Sequence, residues 1–153
     1  RVGAHIGAYL PEDSFATMAV VVVAPATGAL ESGNAGHLPG IIVRPDGRTE
    51  PLPAESDPPL GIATEPPRTS HAELHPGDVL FLCTDGLTEL RNASREMLGE
   101  GQLSAGLGQI TRTAGDRPVT EIAAQLDRLL VNYRGDQLPE DDYAFLMARR
   151  RSE

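Results

Sequence analysis

Several residue types are missing or rare in this sequence, and each absence excludes a class of protein. The chain has no lysine, so arginine supplies all 13 basic residues against 22 acidic ones, and the net charge is −9. A nucleic-acid-binding protein needs a basic surface to displace phosphate counterions, and the single basic run, at 149–151, is too short to form one. The one cysteine, Cys83, excludes an intrachain disulfide and a cysteine-based zinc site, and fits the reducing cytoplasm.

Long hydrophobic segments are also missing. The longest, residues 18–25, is far shorter than the roughly 20 residues of a membrane helix, so we expect no membrane segment in this chain. A length of 153 residues and a hydrophobic content of 40% are typical of one globular domain, which we place at residues 1–150, with a basic tail at 151–153. Because the first residue is Arg1, we expect the chain to be a piece of a longer protein.

Proline and glycine turn signals divide the first half of the chain into short strands. The apolar runs between them predict strands at residues 15–24, 29–35, 41–44, 48–52, 69–74 and 79–84. The first contains four consecutive valines without alternation, which predicts a strand buried on both faces. The six prolines of residues 51–67 predict a long, stiff loop.

The second half of the chain has a helical period. Apolar residues recur at steps of three and four over residues 119–133, with Pro118 at the first position, and predict a helix; residues 104–113 predict a shorter one. Residues 143–148 predict a last strand. Many antiparallel strands followed by two helices and a strand are typical of an α+β sandwich.

Two acidic motifs stand beside predicted strands. Asp85 and Gly86 follow the apolar strand that ends at Cys83, and Asp141 and Asp142 precede the last strand. Taken alone, the first motif is equally well explained as an Asp-Gly turn, and the second is better explained as a solvated turn. If the two strands are neighbours, their carboxylates converge at one rim of a sheet, and oxygen-only sites suit Mg²⁺ or Mn²⁺.

A third motif, Asn34-Ala-Gly36-His37, lies where a strand meets a loop. Its simplest explanation is a turn with a hydrogen-bonded histidine, in which Gly36 allows a positive φ. The sequence contains neither a serine-nucleophile motif of the G-x-S-x-G type nor a glycine-rich phosphate loop.

Taken in order along the chain, these motifs resemble the SpoIIE-like (RsbU-like) branch of the metal-dependent Ser/Thr protein phosphatases. The resemblance runs from about Tyr9 to Arg150, and four segments carry it: FATMAVVVVAPATGALESGNAGHLPGIIVRPDG, DPPLGI, HPGDVLFLCTDGLTELRN and EDDYAFLMARR. It implies an α-β-β-α sandwich holding two Mg²⁺ or Mn²⁺ ions. It also implies hydrolysis of phosphoserine or phosphothreonine on a regulatory protein, typically a bacterial anti-sigma-factor antagonist, and it allows an upstream sensor domain.

The resemblance also implies roles for individual residues. Asp85 matches the metal-ligand aspartate of the family's TDG motif, and Asp141 matches that of its DD motif, with Asp142 as second choice. Gly86 matches the glycine near the metals, and the motif at 34–37 is expected to shape the site. Ala144 replaces the usual threonine.

The family's other aspartates, in GDxxD-like and DxxGHG-like motifs, are not in this sequence, so we expect the N-terminal part of the domain to be missing and the chain alone to be inactive. Two other hypotheses therefore stay open: a non-catalytic, phosphatase-like regulatory module, and an acidic β-rich interaction domain without a metal.

Overall fold

The fold is described from a computed structural model, which describes residues 14–55, 57–62, 65 and 67–151. Within these residues the elements are β1 (Met18–Val23), β2 (Ala29–Ala35), β3 (Ile41–Val43), β4 (Thr49–Pro51), β5 (Thr69–Glu73), β6 (Val79–Cys83), α1 (Asp85–Thr88), α2 (Gly99–Ala114), α3 (Val119–Arg134) and β7 (Phe145–Arg149). The chain divides into two compact units, the first made of residues 1–39 and 52–73 and the second of residues 40–51 and 74–153.

The first unit contains an antiparallel sheet in the order β1-β2-β5. The prediction that the valine-rich strand is buried on both faces is wrong, because Val20 is 46% exposed and Val22 61% exposed. Among the described residues β1 pairs only with β2, so it is an edge strand, and its side chains alternate between partly buried and exposed. A run of valines shows a preference for strand but not how many of its faces are covered.

The second unit contains an antiparallel sheet in the order β4-β3-β6-β7 and the two long helices. The strands predicted at residues 41–44 and 48–52 are present as β3 and β4, which pair with each other as a hairpin. Helices α2 and α3 pack against each other and against strands of this sheet. The shared core is made of fully buried side chains from both layers: Val43, Val79, Phe81, Leu87, Leu103, Leu107, Ile122, Leu126 and Leu130.

The helices follow the apolar pattern of the sequence. Helix α3 has the predicted start and ends one residue later than predicted, and its stripe of Ile122, Leu126 and Leu130 is completely buried. Helix α2 is longer than the predicted 104–113, because Leu103 and Ala114 also face the core and burial of both ends outweighs the low helix propensity of its glycines. No helix in the described part of the chain is long and apolar enough to cross a membrane.

Candidate functional site

Asp85 lies where β6 ends and the short helix α1 begins. Leu87 is completely buried and Gly86 is buried, whereas the Asp85 side chain is exposed to solvent. The backbone N–H of Gly86 donates a hydrogen bond to Asp85 Oδ1 at 3.0 Å. A buried strand and a buried turn of helix therefore hold an exposed carboxylate at the end of the β6–β7 ladder, where Cys83 pairs with Phe145.

The segment before β7 is attached to this same end of the ladder. The backbone N–H of Thr84 donates to the carbonyl of Ala144 at 3.0 Å, and the N–H of Ala144 donates to Thr84 Oγ1 at 3.0 Å. A Cβ atom added to Gly86 would lie 2.6 Å from the carbonyl oxygen of Asp142, so the two backbones touch there. Asp141 and Asp142 are exposed, and the N–H of Asp142 donates to Asp141 Oδ1 at 2.8 Å. The two acidic motifs are thus on adjoining segments.

Two residues that the sequence analysis did not single out fix these segments. One is Thr84, through the bonds just described. The other is Glu140, whose carboxylate is 2.8 Å from Arg95 Nη2 and 3.4 Å from Arg91 Nε. These arginines belong to the loop after α1, so they anchor the residue directly before Asp141. No local pattern identifies such a pair, since its members are 45 and 49 residues apart in the sequence.

The pKa of the Cys83 thiol reflects its burial and the negative charges near it. Burial, followed by the negative charges of Glu100 and Asp85, raises the pKa of Cys83 to about 11. The thiol is partly buried at the end of β6 and packs against the core, as expected for a small apolar residue. A thiol with this raised pKa is protonated near neutral pH and is not a thiolate nucleophile.

The motif at 34–37 forms a closed turn in the first unit. Asn34 is 7% exposed; its Nδ2 donates to the carbonyl of His37, and its Oδ1 accepts from the N–H of His37, each at 2.8 Å. Gly36 has φ +68°, and a Cβ there would lie 2.5 Å from the ring of Pro59. His37 Nδ1 is 3.1 Å from Thr17 Oγ1. The Asn34 side chain is thereby occupied by its own turn, the structural explanation that the sequence also offered.

The donor chemistry of the acidic segments fits a hard divalent cation, because carboxylate oxygens are the ligands that Mg²⁺ and Mn²⁺ prefer. Across residues 14–55, 57–62, 65 and 67–151, no three His, Cys, Asp or Glu side chains are grouped so that they could hold a metal ion. Asp85, Asp141 and Asp142 therefore have the chemistry of metal ligands. Among the described residues they do not form a complete metal site.

Comparisons with known proteins support the resemblance of the sequence to the SpoIIE-like branch of the metal-dependent Ser/Thr protein phosphatases. The profile of the family described as Stage II sporulation protein E (SpoIIE) matches residues 2–151. The chain belongs to the SpoIIE family. It is also 28% identical over 137 residues to Protein IcfG of Synechocystis, covering 89% of this chain and 21% of that protein.

Solved structures show the same fold. The RsbU and RsbW domains of Rv1364c from Mycobacterium tuberculosis superpose with a TM-score of 0.79 at 26% identity, over 96% of this chain and 39% of that one. The PP2C phosphatase domain of SpoIIE from Bacillus subtilis, with a fragment of its regulatory domain, gives 0.74 at 19% identity, over 95% and 42%. The predicted α+β fold of the metal-dependent phosphatases is confirmed. The chain spans less than half the length of these relatives.

Proposed function

We propose that the whole protein is a metal-dependent phosphatase that hydrolyses phosphoserine or phosphothreonine on a bacterial regulatory protein, such as an anti-sigma-factor antagonist. The observation that carries this proposal is the contact of the Asp85–Gly86 backbone with Asp142 in a chain of the SpoIIE family. The similarity to the RsbU and RsbW domains of Rv1364c supports a regulatory substrate protein. We also propose a cytoplasmic location and an upstream sensor domain.

The chain's own part in this chemistry is to hold carboxylates in fixed positions. We propose Asp85 and Asp141 as metal ligands and Asp142 as the alternative to Asp141. When bound, Mg²⁺ or Mn²⁺ ions supply charge neutralisation at the phosphoryl oxygens and lower the pKa of a bound water. Asp85 is positioned by the buried start of α1, and Asp141 by the anchored Glu140 and by the Thr84–Ala144 hydrogen bonds.

The proposed function is tested by phosphate release from phosphoserine, phosphothreonine and phosphotyrosine proteins, with Mn²⁺ or with EDTA. We expect Mn²⁺-dependent release from the first two substrates only. Asp141→Asn and Asp142→Asn identify the ligand, because loss of a coordinating charge should remove activity and loss of its neighbour should not. Mn²⁺-independent release, or none from any substrate, would refute the proposal, and the second result would favour a non-catalytic regulatory module.

A further inference from the structure

A cavity of about 730 Å³ opens in the second unit where α3 begins. Its walls are formed by the turn before β6, the loop before α3, the first turn of α3 and the C-terminal end of β7 with the residues after it: Gly77, Asp116, Arg117, Pro118, Val119, Thr120, Arg149 and Arg151. Three arginines on one cavity contrast with the net charge of −9 of the chain. The short basic run at 149–151 thus forms part of a pocket together with the loop before α3.

Arg149, one of the three arginines that line this pocket, has hydrogen-bond donors that are not used within the protein. Its side chain is only 10% exposed, and its Nη1 donates to the carbonyl of Arg117 at 2.8 Å. Its Nη2 lies 3.7 Å from Asp116 Oδ1, too far for a hydrogen bond. A guanidinium has five N–H donors, so most of those of Arg149 have no acceptor among the described residues. None of these unpaired nitrogen atoms is among the buried side-chain atoms without a partner in the described residues, so they are in contact with solvent and open to a ligand that accepts hydrogen bonds.

The first turn of α3 adds backbone donors to the same cavity. Its N-cap, Pro118, makes no side-chain capping bond. No described residue accepts a hydrogen bond from the backbone N–H of Val119 or Thr120. These groups are at the positive end of a 16-residue helix, where anions are stabilised.

We propose that this pocket binds a small anion that carries a phosphate group, through Arg117, Arg149, Arg151 and the first backbone N–H groups of α3. Planar guanidinium groups match phosphate oxygens in two-point hydrogen bonds, and the volume leaves room for an organic group esterified to the phosphate. Arg149 pairs with Val79, at the opposite end of the β6–β7 ladder from Cys83 and Asp85. The pocket is therefore separate from the acidic site, and the inference does not depend on the proposed phosphatase activity.

Two acidic side chains compete with such a ligand. Asp116 is fully exposed beside Arg149, and Glu121 is 3.6 Å from Arg117. The ligand has to displace these loose, solvent-screened ion pairs, which are worth little in themselves. Removal of the Asp116 charge should therefore tighten binding, an effect that a purely structural role of the arginines would not produce.

The test uses the whole protein with ¹⁵N-labelled valine and threonine, in EDTA so that no metal site contributes. The probes are inorganic phosphate and adenosine monophosphate. We expect saturable shifts of the Val119 and Thr120 amide signals, about tenfold weaker binding in Arg117→Ala/Arg151→Ala, and tighter binding in Asp116→Asn. Tighter binding of adenosine monophosphate than of inorganic phosphate would identify a phosphate ester as the ligand. Equal binding of the two probes would identify the free anion as the ligand. Either result supports the proposal.

The matched control is Arg112→Ala, which removes an exposed arginine from α2 outside the pocket. It should bind both probes as the unmodified protein does. Absence of saturable shifts at Val119 and Thr120 with both probes would overturn the proposal. Equal weakening in Arg112→Ala and in the double variant would also overturn it, since that result would show attraction by overall charge alone.

Discussion

Gly86→Ala is the substitution whose consequence follows most directly from the geometry of the candidate site. The added Cβ would lie 2.6 Å from the carbonyl oxygen of Asp142 and 3.5 Å from Cβ of Tyr143. Contacts shorter than 3.0 Å are essentially never seen for Cβ, so one backbone segment has to move by at least about 0.4 Å. The two nearest atoms, the carbonyl oxygen and the carbonyl carbon of Asp142, belong to the backbone, which cannot rotate away as a long side chain can.

The size of the effect is set by two opposing terms. Overpacking of a close contact costs about 1–3 kcal/mol, whereas alanine gains at most about 1 kcal/mol over glycine in a helix. We therefore expect Gly86→Ala to lower the free energy of unfolding by about 1–2 kcal/mol. The shift separates Asp85 from the Asp141–Asp142 pair, and misplacement of catalytic groups by about 1 Å can cost about 100-fold in rate, so we expect a loss of about 10- to 100-fold.

The matched control is Gly101→Ala in α2, where an added Cβ meets nothing within 4 Å. There the helix-propensity gain is unopposed, and we expect stabilisation by about 0.5–1 kcal/mol with unchanged activity. Urea unfolding and Mn²⁺-dependent phosphate release of both variants measure the two effects. A Gly86→Ala protein as stable and as active as Gly101→Ala would refute the close contact between the segments.

Three further predictions concern other parts of the structure. Asn34→Ala should lower the unfolding free energy by roughly 2 kcal/mol, because it removes two hydrogen bonds to His37; urea unfolding that matches the unmodified chain would contradict this. The N–H and guanidinium of Arg68 hold the pKa of Asp57 below its usual value, so this stabilisation is present above about pH 3.9 and lost as pH falls through the lowered pKa. Asp57→Asn should accordingly flatten acid unfolding below that pH, and an unchanged profile counts against the pairing. Because its pKa is raised to about 11, the Cys83 thiol should react slowly with a thiol reagent at pH 8 and faster as the pH approaches 11. The free energy of unfolding should decline from about pH 9 upward, because there the thiol ionises in the unfolded chain and not in the folded one. Fast reaction at pH 8 would show that the thiol is not shielded.

Elements with a regular period could be predicted closely. The stripe of α3 and the strand at 29–35 were readable from spacing and turn signals alone, because burial on one face imposes that spacing. Helix α2 extends beyond its predicted bounds. Its glycines lowered the expected length, yet a Cβ at Gly108 would lie 2.2 Å from the carbonyl oxygen of Gly47, so that glycine allows close packing with the β3–β4 turn.

Features that depend on distant contacts could not be predicted. The exposure of Val20 and Val22 depends on what covers that face of the sheet and not on the valines themselves. The anchoring of Glu140 by Arg91 and Arg95 joins residues more than 40 positions apart, which no local pattern links. The acidic motifs could be recognised from the sequence, whereas the contact that brings them together had to be observed in the structure.

The central claim is that Asp85 is a metal ligand required for phosphatase activity, and one comparison tests it most directly. Phosphate release from a phosphoserine protein is measured against Mn²⁺ concentration for the unmodified whole protein, for Asp85→Asn and for Asp127→Asn, which removes an exposed carboxylate on α3. Asparagine keeps the shape of the side chain and removes the charge that attracts the cation. We predict no Mn²⁺-dependent release by Asp85→Asn at any Mn²⁺ concentration and normal release by Asp127→Asn. Full activity of Asp85→Asn would contradict the claim.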